Sequence, residues 1–124
     1  MIKISIPRLP PKELNPNYRG HWSKKWEASS SFKVDTYIAL VNAGIYHTKE
    51  KRFDKAKVDI LFIFPDRRKR DLDNFFAMLK PCLDYLVDYG ILTNDDSEHL
   101  SVGSIKGVYK KGVSKTILEF READ

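Results

Sequence analysis

Apolar and polar residues alternate over residues 2–7 (IKISIP), the period of a short strand with one buried face, closed by Pro7 and the Pro10-Pro11 pair. Residues 12–22 (KELNPNYRGHW) carry Asn-Pro-Asn and Gly20 as turn signals and predict an irregular loop. From about Trp22 to Val41 the spacing predicts a helix. Val34, Tyr37, Ile38 and Val41 fall at i, i+3, i+4 and i+7, the face expected to lie in the core, and Gly44 is its stop. Trp22 and Trp26, one helical turn apart, are read as core rather than as a base-stacking platform.

Residues 56–64 (AKVDILFIF) are β-branched and aromatic on nearly every position, the pattern of a central strand covered on both faces. A second helix is expected from near Asp71, with Leu72, Phe75, Phe76, Leu79, Leu83 and Leu86 as an unbroken apolar stripe. Pro81 removes one backbone hydrogen bond inside that stripe, which predicts one kinked helix rather than two short ones, ended by Gly90. Residues 100–109 and 113–120 read as strands joined at Lys110-Lys111-Gly112 in an antiparallel hairpin. The order β-α-β-α-β-β predicts an α+β fold, an α/β sandwich with two helices packed on a small mixed sheet, in one domain over residues 1–124.

Composition narrows the classes. With 42% hydrophobic and 31% charged residues the chain suits a globular protein rather than a disordered one. The net charge of +5 favours acidic partners such as nucleic acid or anionic membrane surfaces. Cys82 is the single cysteine, so neither an internal disulfide nor a cysteine-based zinc site can form. No segment reaches the roughly 20 apolar residues of a membrane span, and the N-terminal residues lack a signal-like apolar run. A cytoplasmic protein with no membrane partner is expected. His21, His47 and His99 show no metal-ligand spacing, and no phosphate-cradling glycine motif is present.

The chemistry concentrates in DRRKRDLDN (66–74), where Arg67, Arg68, Lys69 and Arg70 run directly into Asp71 and Asp73. Aspartate at a helix start is an ordinary cap, and a charge run is ordinarily a solvated face. A second acidic group, NDDSEH (94–99), lies between the same helix and the next strand, where it could fold back beside Asp73. Carboxylates from separate segments suit Mg²⁺ or Mn²⁺ rather than zinc. Asp73, Ala77, Lys80 and Asp84 share a helical stripe, which sets Lys80 roughly 10 Å along the axis from Asp73. Lys80 there could face a scissile phosphate, or simply pair with Asp84 at i+4. The arginines match phosphate oxygens through paired N–H donors. Arg19, Lys24 and Lys25 could extend that surface.

Three blocks resemble the RusA-type Holliday junction resolvases: LPPKELNPNYRGHWSKK (9–25), PDRRKRDLDN with LKPCLDYL (65–74 and 79–86), and GILTNDDSEHL (90–100). Order and spacing hold over about residues 9–110. The resemblance implies a homodimer that binds branched DNA at four-way junctions and cuts two strands symmetrically, using Mg²⁺ held by aspartates. It implies Asp71, Asp73 and Asp96 as ligands, with Asp95 the alternative to Asp96, and Lys80 as the catalytic lysine. The family's lysine stands three residues after the asparagine, where this chain has Ala77. Lys80 comes three residues later, rotated by about 60°. Metal on these carboxylates is expected to activate water for in-line attack on a phosphodiester, leaving a 5′-phosphate and a 3′-hydroxyl. Two other classes compete. A non-catalytic basic nucleic-acid-binding protein would use the cations and keep the carboxylates as caps, and an interaction protein would bind neither metal nor junction.

Overall fold

The computed structural model describes residues 1–47 and 50–123. The chain runs β1 (Ile2–Ile6), a 3₁₀ turn (Lys12–Leu14), α1 (Trp22–Asn42), β2 (Ala56–Phe64), α2 (Leu72–Ala77), α3 (Lys80–Tyr89), β3 (Leu100–Tyr109) and β4 (Lys115–Glu122). The four strands form one mixed sheet in the order β1-β4-β2-β3, with β4 antiparallel to β1 and β2 and with β3 parallel to β2. The fold is α+β, helices on a small mixed sheet, as the residue pattern predicts.

Cross-strand register builds the core. Ile4, Leu118 and Ile60 lie in one row across three strands, and Ile6, Thr116 and Phe62 in the next, all six buried. Removing an aliphatic or aromatic side chain of this kind from water stabilises the fold by roughly 1.5–3 kcal/mol. The helices cover that face. Phe75 of α2 meets the rings of Phe62 and Phe64 edge-on at 5.4 and 5.2 Å. Leu83 and Leu86 of α3 and Phe32 and Leu40 of α1 close the same cluster. Cys82 lies inside it, and burial pushes its thiol up to about 12.

Four expectations are corrected. First, β2 is central but fully buried on one face only: Ala56, Val58, Ile60, Phe62 and Phe64 point into the core, while the outward Lys57, Asp59, Leu61 and Ile63 are half-buried. The outer rows are mixed, Lys3–Glu119–Asp59–Ser104 beside Ser5–Ile117–Leu61–Lys106.

Second, β3 and β4 do not form a hairpin, because β2 lies between them. The connection crosses the end of β2 instead: Lys110 N–H donates to the Phe64 carbonyl at 2.9 Å and Gly112 N–H to the Pro65 carbonyl at 3.1 Å. Gly112 takes the left-handed conformation (φ 72°) that this turn needs.

Third, α1 buries the other side from the one its periodicity marks. Phe32, Thr36, Ala39 and Leu40 face the core, whereas Val34, Tyr37, Ile38 and Val41 are exposed, as are Trp22 and Trp26. The small Ala39 and the self-satisfied Thr36, whose hydroxyl donates to the Phe32 carbonyl at 2.8 Å, let the helix lie close to its neighbours.

Fourth, two short helices replace the single kinked one. The break falls at Met78–Leu79, where Leu79 N–H bonds back three residues to the Phe76 carbonyl at 3.0 Å. Pro81 sits in the first turn of α3, where it has no donor to offer the Ala77 carbonyl. Gly90 ends α3 in the left-handed conformation (φ 99°).

The two faces of α1 are separable by mutation. Leu40→Ala should cost about 2–5 kcal/mol in urea unfolding, and Ile38→Ala should stay within about 0.5 kcal/mol. Comparable losses at both positions would place Ile38 in the core.

Candidate functional site

The basic loop begins where Pro65 ends β2. Asp66 Oδ1 accepts from the Arg68 N–H at 3.0 Å, which closes a tight turn. Arg70 then folds inward. Its Nη1 lies 2.8 Å from Asp66 Oδ1, donates to the Asp66 and Arg68 carbonyls, and the guanidinium sits 4.5 Å over the Phe64 ring. Only 7% of the Arg70 side chain is exposed, and its Nε is buried without a hydrogen-bond partner. Arg70 thus pins the loop rather than joining the solvent-facing cations, and it holds Asp66 below the usual carboxylate range, with the Arg68 N–H adding to the effect.

Arg67, Arg68 and Lys69 stay exposed, Arg67 packed 4.6 Å over the ring of Tyr109. Arg68, Lys69 and Asp71 line a cleft with Lys12, Asn15 and Asn74. Lys12 and Asn15 enter from the loop before α1. No spacing in the sequence announces that contact, which is purely tertiary. Asp66 did have a local signal, standing four residues before Arg70.

Asp71 is the N-cap of α2. Its Oδ1 accepts from the Asp73 N–H at 3.0 Å, and both residues are exposed in the first turn. The carboxylates of the 94–99 turn diverge. Asp95 Oδ2 lies 2.7 Å from Lys80 Nζ, which also meets Asp84 Oδ1 at 2.9 Å. Asp96 turns the other way. Its Oδ1 accepts from the N–H groups of Glu98 and His99 at 3.0 and 3.1 Å and from His99 Nδ1 at 2.7 Å. Of the adjacent pair it is therefore Asp95 that faces the junction of α2 and α3. The turn is held on both sides: Phe53 bridges Leu92 before it, and Ala56 N–H donates to the His99 carbonyl at 2.8 Å after it.

Electrostatics follow these contacts. Lys80 is held above the ordinary lysine range by Asp95 first and Asp84 second, despite being 64% exposed. Asp95, 15% exposed, is held low chiefly by Lys80, and Asp96 chiefly by His99, with the Glu98 N–H assisting. An ammonium so placed remains charged at neutral pH and acts as a fixed cation, not as a proton acceptor.

Three clefts lie along α2 and α3, the second and third sharing Ala77 and Lys80. The first holds the basic loop and Asp71, the second Lys25, Ser29, Lys80 and Asp84, and the third Lys80, Asp95 and Ala77. Lys25 thus joins Lys80, whereas Arg19 and Lys24 lie outside these clefts. The all-oxygen donor set has the chemistry of a Mg²⁺ or Mn²⁺ site. Its arrangement does not complete one, since no group of three or more acidic, histidine or cysteine side chains converges among the described residues. Asp71, Asp73, Asp95 and Asp96 as arranged do not fit a single ion.

Among the described residues no helix is long and apolar enough to cross a membrane. The chain matches no protein-family model and no curated protein.

The Lys80–Asp95 pair predicts a titration. The Asp95 carboxyl, followed by NMR, should have its midpoint below 3.8, and Lys80→Ala should raise it toward that value. Because the folded pKa is depressed, the pair's stabilisation is present above the unfolded value and fades as pH falls through the folded one. An unchanged midpoint in Lys80→Ala would mean that the ion pair does not persist in solution.

Proposed function

We propose that this protein is a Mg²⁺-dependent, structure-selective endodeoxyribonuclease of the RusA-type Holliday junction resolvase class, a cytoplasmic homodimer that cuts four-way DNA junctions at paired, symmetric phosphodiesters. The observation that carries the reading is the gathering of cations and carboxylates along α2 and α3. Arg68, Lys69 and Asp71 line one cleft beside α2, and the Lys80–Asp95 pair and Lys25 line two more at the start of α3, although they come from segments far apart in sequence. Asp73 follows Asp71 in the exposed first turn of α2.

In this reading Arg67, Arg68 and Lys69 hold the DNA backbone, with Lys12 beside them and Lys25 beside Lys80. Such phosphate contacts give an affinity that falls steeply with salt. Lys80 offsets charge on the scissile phosphate as a permanent cation. Asp71 and Asp73 are the exposed carboxylates at the start of α2, and Asp95 comes from the turn after α3, restrained by Lys80. Hydrolysis breaks one P–O bond, adds one water, and leaves a 5′-phosphate and a 3′-hydroxyl.

A second reading has its own support. Asp71 caps α2, Asp95 is tied to Lys80 and Asp96 to His99, as expected of a basic nucleic-acid-binding protein without catalysis. Incubation with a labelled four-way junction and a matching linear duplex, with and without Mg²⁺, separates the two. The resolvase should give metal-dependent, symmetric nicks confined to the junction, and Asp73→Asn should abolish them while junction binding persists. Binding without nicks would establish the second reading, and nicking by Asp73→Asn at the wild-type rate would remove Asp73 from the site.

The dimer is supported by the C-terminal half of α1, where Val34, Tyr37, Ile38 and Val41 are 41–56% exposed and Val34 and Tyr37 line a shallow hollow with Lys33 and Tyr85 of α3. Contiguous apolar surface of this kind marks contact sites, and a two-fold contact needs a patch that meets itself. Sedimentation should give twice the 14.4 kDa chain mass, and Ile38→Glu should return the monomer. A wild-type monomer at all concentrations would leave α1 unpaired and the symmetric double cut without a basis.

A further inference from the structure

Both tryptophans of the chain lie in the first turns of α1, at Trp22 and Trp26, and they are 73% and 65% exposed. An indole left in water forgoes one of the largest gains that folding offers a side chain. Neither ring belongs to the core, which α1 enters from its later turns, through Phe32, Thr36, Ala39 and Leu40. Spaced i, i+4, the two rings leave the same side of α1 about 6 Å apart along the axis.

Their base is fixed. His21 caps the helix, its Nδ1 accepting from the Ser23 N–H at 3.1 Å and from the Ser23 hydroxyl at 2.7 Å, and its ring lies 5.4 Å from that of Trp22.

The surrounding charge is positive where the helix can least use it. The first turn of α1 holds no acidic residue, and Lys24 and Lys25 add to the positive end of the helix dipole. Glu27 answers only in part, 3.9 Å from Lys24. Lys25 also lines the cleft that contains Lys80 and Asp84, so this end of α1 adjoins the candidate site. Trp22 and Trp26 lie roughly 22 and 16 Å along the axis from Tyr37, beyond the apolar patch on the far half of α1.

We propose that Trp22 and Trp26 form a stacking platform for unpaired bases of a DNA strand, whose phosphates rest on Arg19 and Lys25. Aromatic faces interleaved with cations suit single-stranded or unstacked nucleic acid, because every base offers a π-face and every linkage an anion. The proposal rests on the nucleic-acid reading above and adds to it a site for bases rather than backbone.

The full chain tests this without metal, in EDTA, so that nothing is cut. A labelled oligothymidylate strand and a labelled four-way junction are titrated with protein, with anisotropy of the label and intrinsic tryptophan emission read together. Since these two residues are the only tryptophans, quenching on binding reports the platform directly. Trp22→Ala and Trp26→Ala should each weaken single-strand binding about tenfold, Trp→Phe should stay within about threefold, and thermal melts should not move. Binding by anisotropy with unchanged emission, or alanine variants that bind as wild type, overturns the platform and leaves the nucleic-acid reading standing. No binding to either DNA overturns both. A blue shift of the emission with protein concentration alone, matched by self-association, assigns the indoles to a contact between copies and overturns the platform as well.

Discussion

Pro81 has no amide hydrogen, and the placement of the candidate site depends on that one missing donor. The Ala77 carbonyl has no partner one turn ahead, the helix loosens at Met78–Leu79, and α3 begins afresh at Lys80. The apolar stripe survives the interruption, with Leu79, Leu83 and Leu86 still buried beneath α1 and over the sheet. The polar stripe does not survive as a straight line. Lys80 becomes the first residue of a new helix and reaches Asp84 and Asp95 together, which ties the 94–99 turn to the helix pair.

A second constraint shapes the basic loop. Four cations in succession repel one another, and a loop that carried all four outward would have little to hold its shape. Arg70 resolves this by turning in, stacked on Phe64 and clasped by Asp66, so that three cations project from a loop fastened by the fourth. The outward cations and the Asp71 cap of α2 are thereby fixed relative to each other within a few residues of the strand end.

Element boundaries were legible where local chemistry sets them. Pro65 and the β-branched run define β2 at Ala56–Phe64, Gly44 marks the end of α1, and Gly90 closes α3, whereas the His21 cap of α1 had no such mark. Pairing was not legible. Lys110-Lys111-Gly112 has every mark of a hairpin turn, yet both flanking strands add to β2, one on each side. Nor does periodicity say which of two stripes faces inward: α1 has a bulky one that stays in water and a leaner one, with Thr36 and Ala39, that packs. At the site, the capping role of Asp71 was readable from its position. The inward turn of Arg70 and the divergence of Asp95 from Asp96 depend on partners distant in space.

The strand order carries a consequence for how the chain is made. β4 is the last strand synthesised, yet it is the one that joins β1 to β2. Until it emerges, β1 has no neighbour in the sheet, and the row from Ile4 to Ile60 lacks its middle member, Leu118. The β1–β4 pairing spans more than a hundred residues, from Ile2 to Phe120, a loop closure of high contact order that slows folding. A ribosome-bound chain halted before residue 115 holds the basic loop, all three helices and β3, but not a continuous sheet. Its apolar sheet face would be open for chaperone capture during that interval.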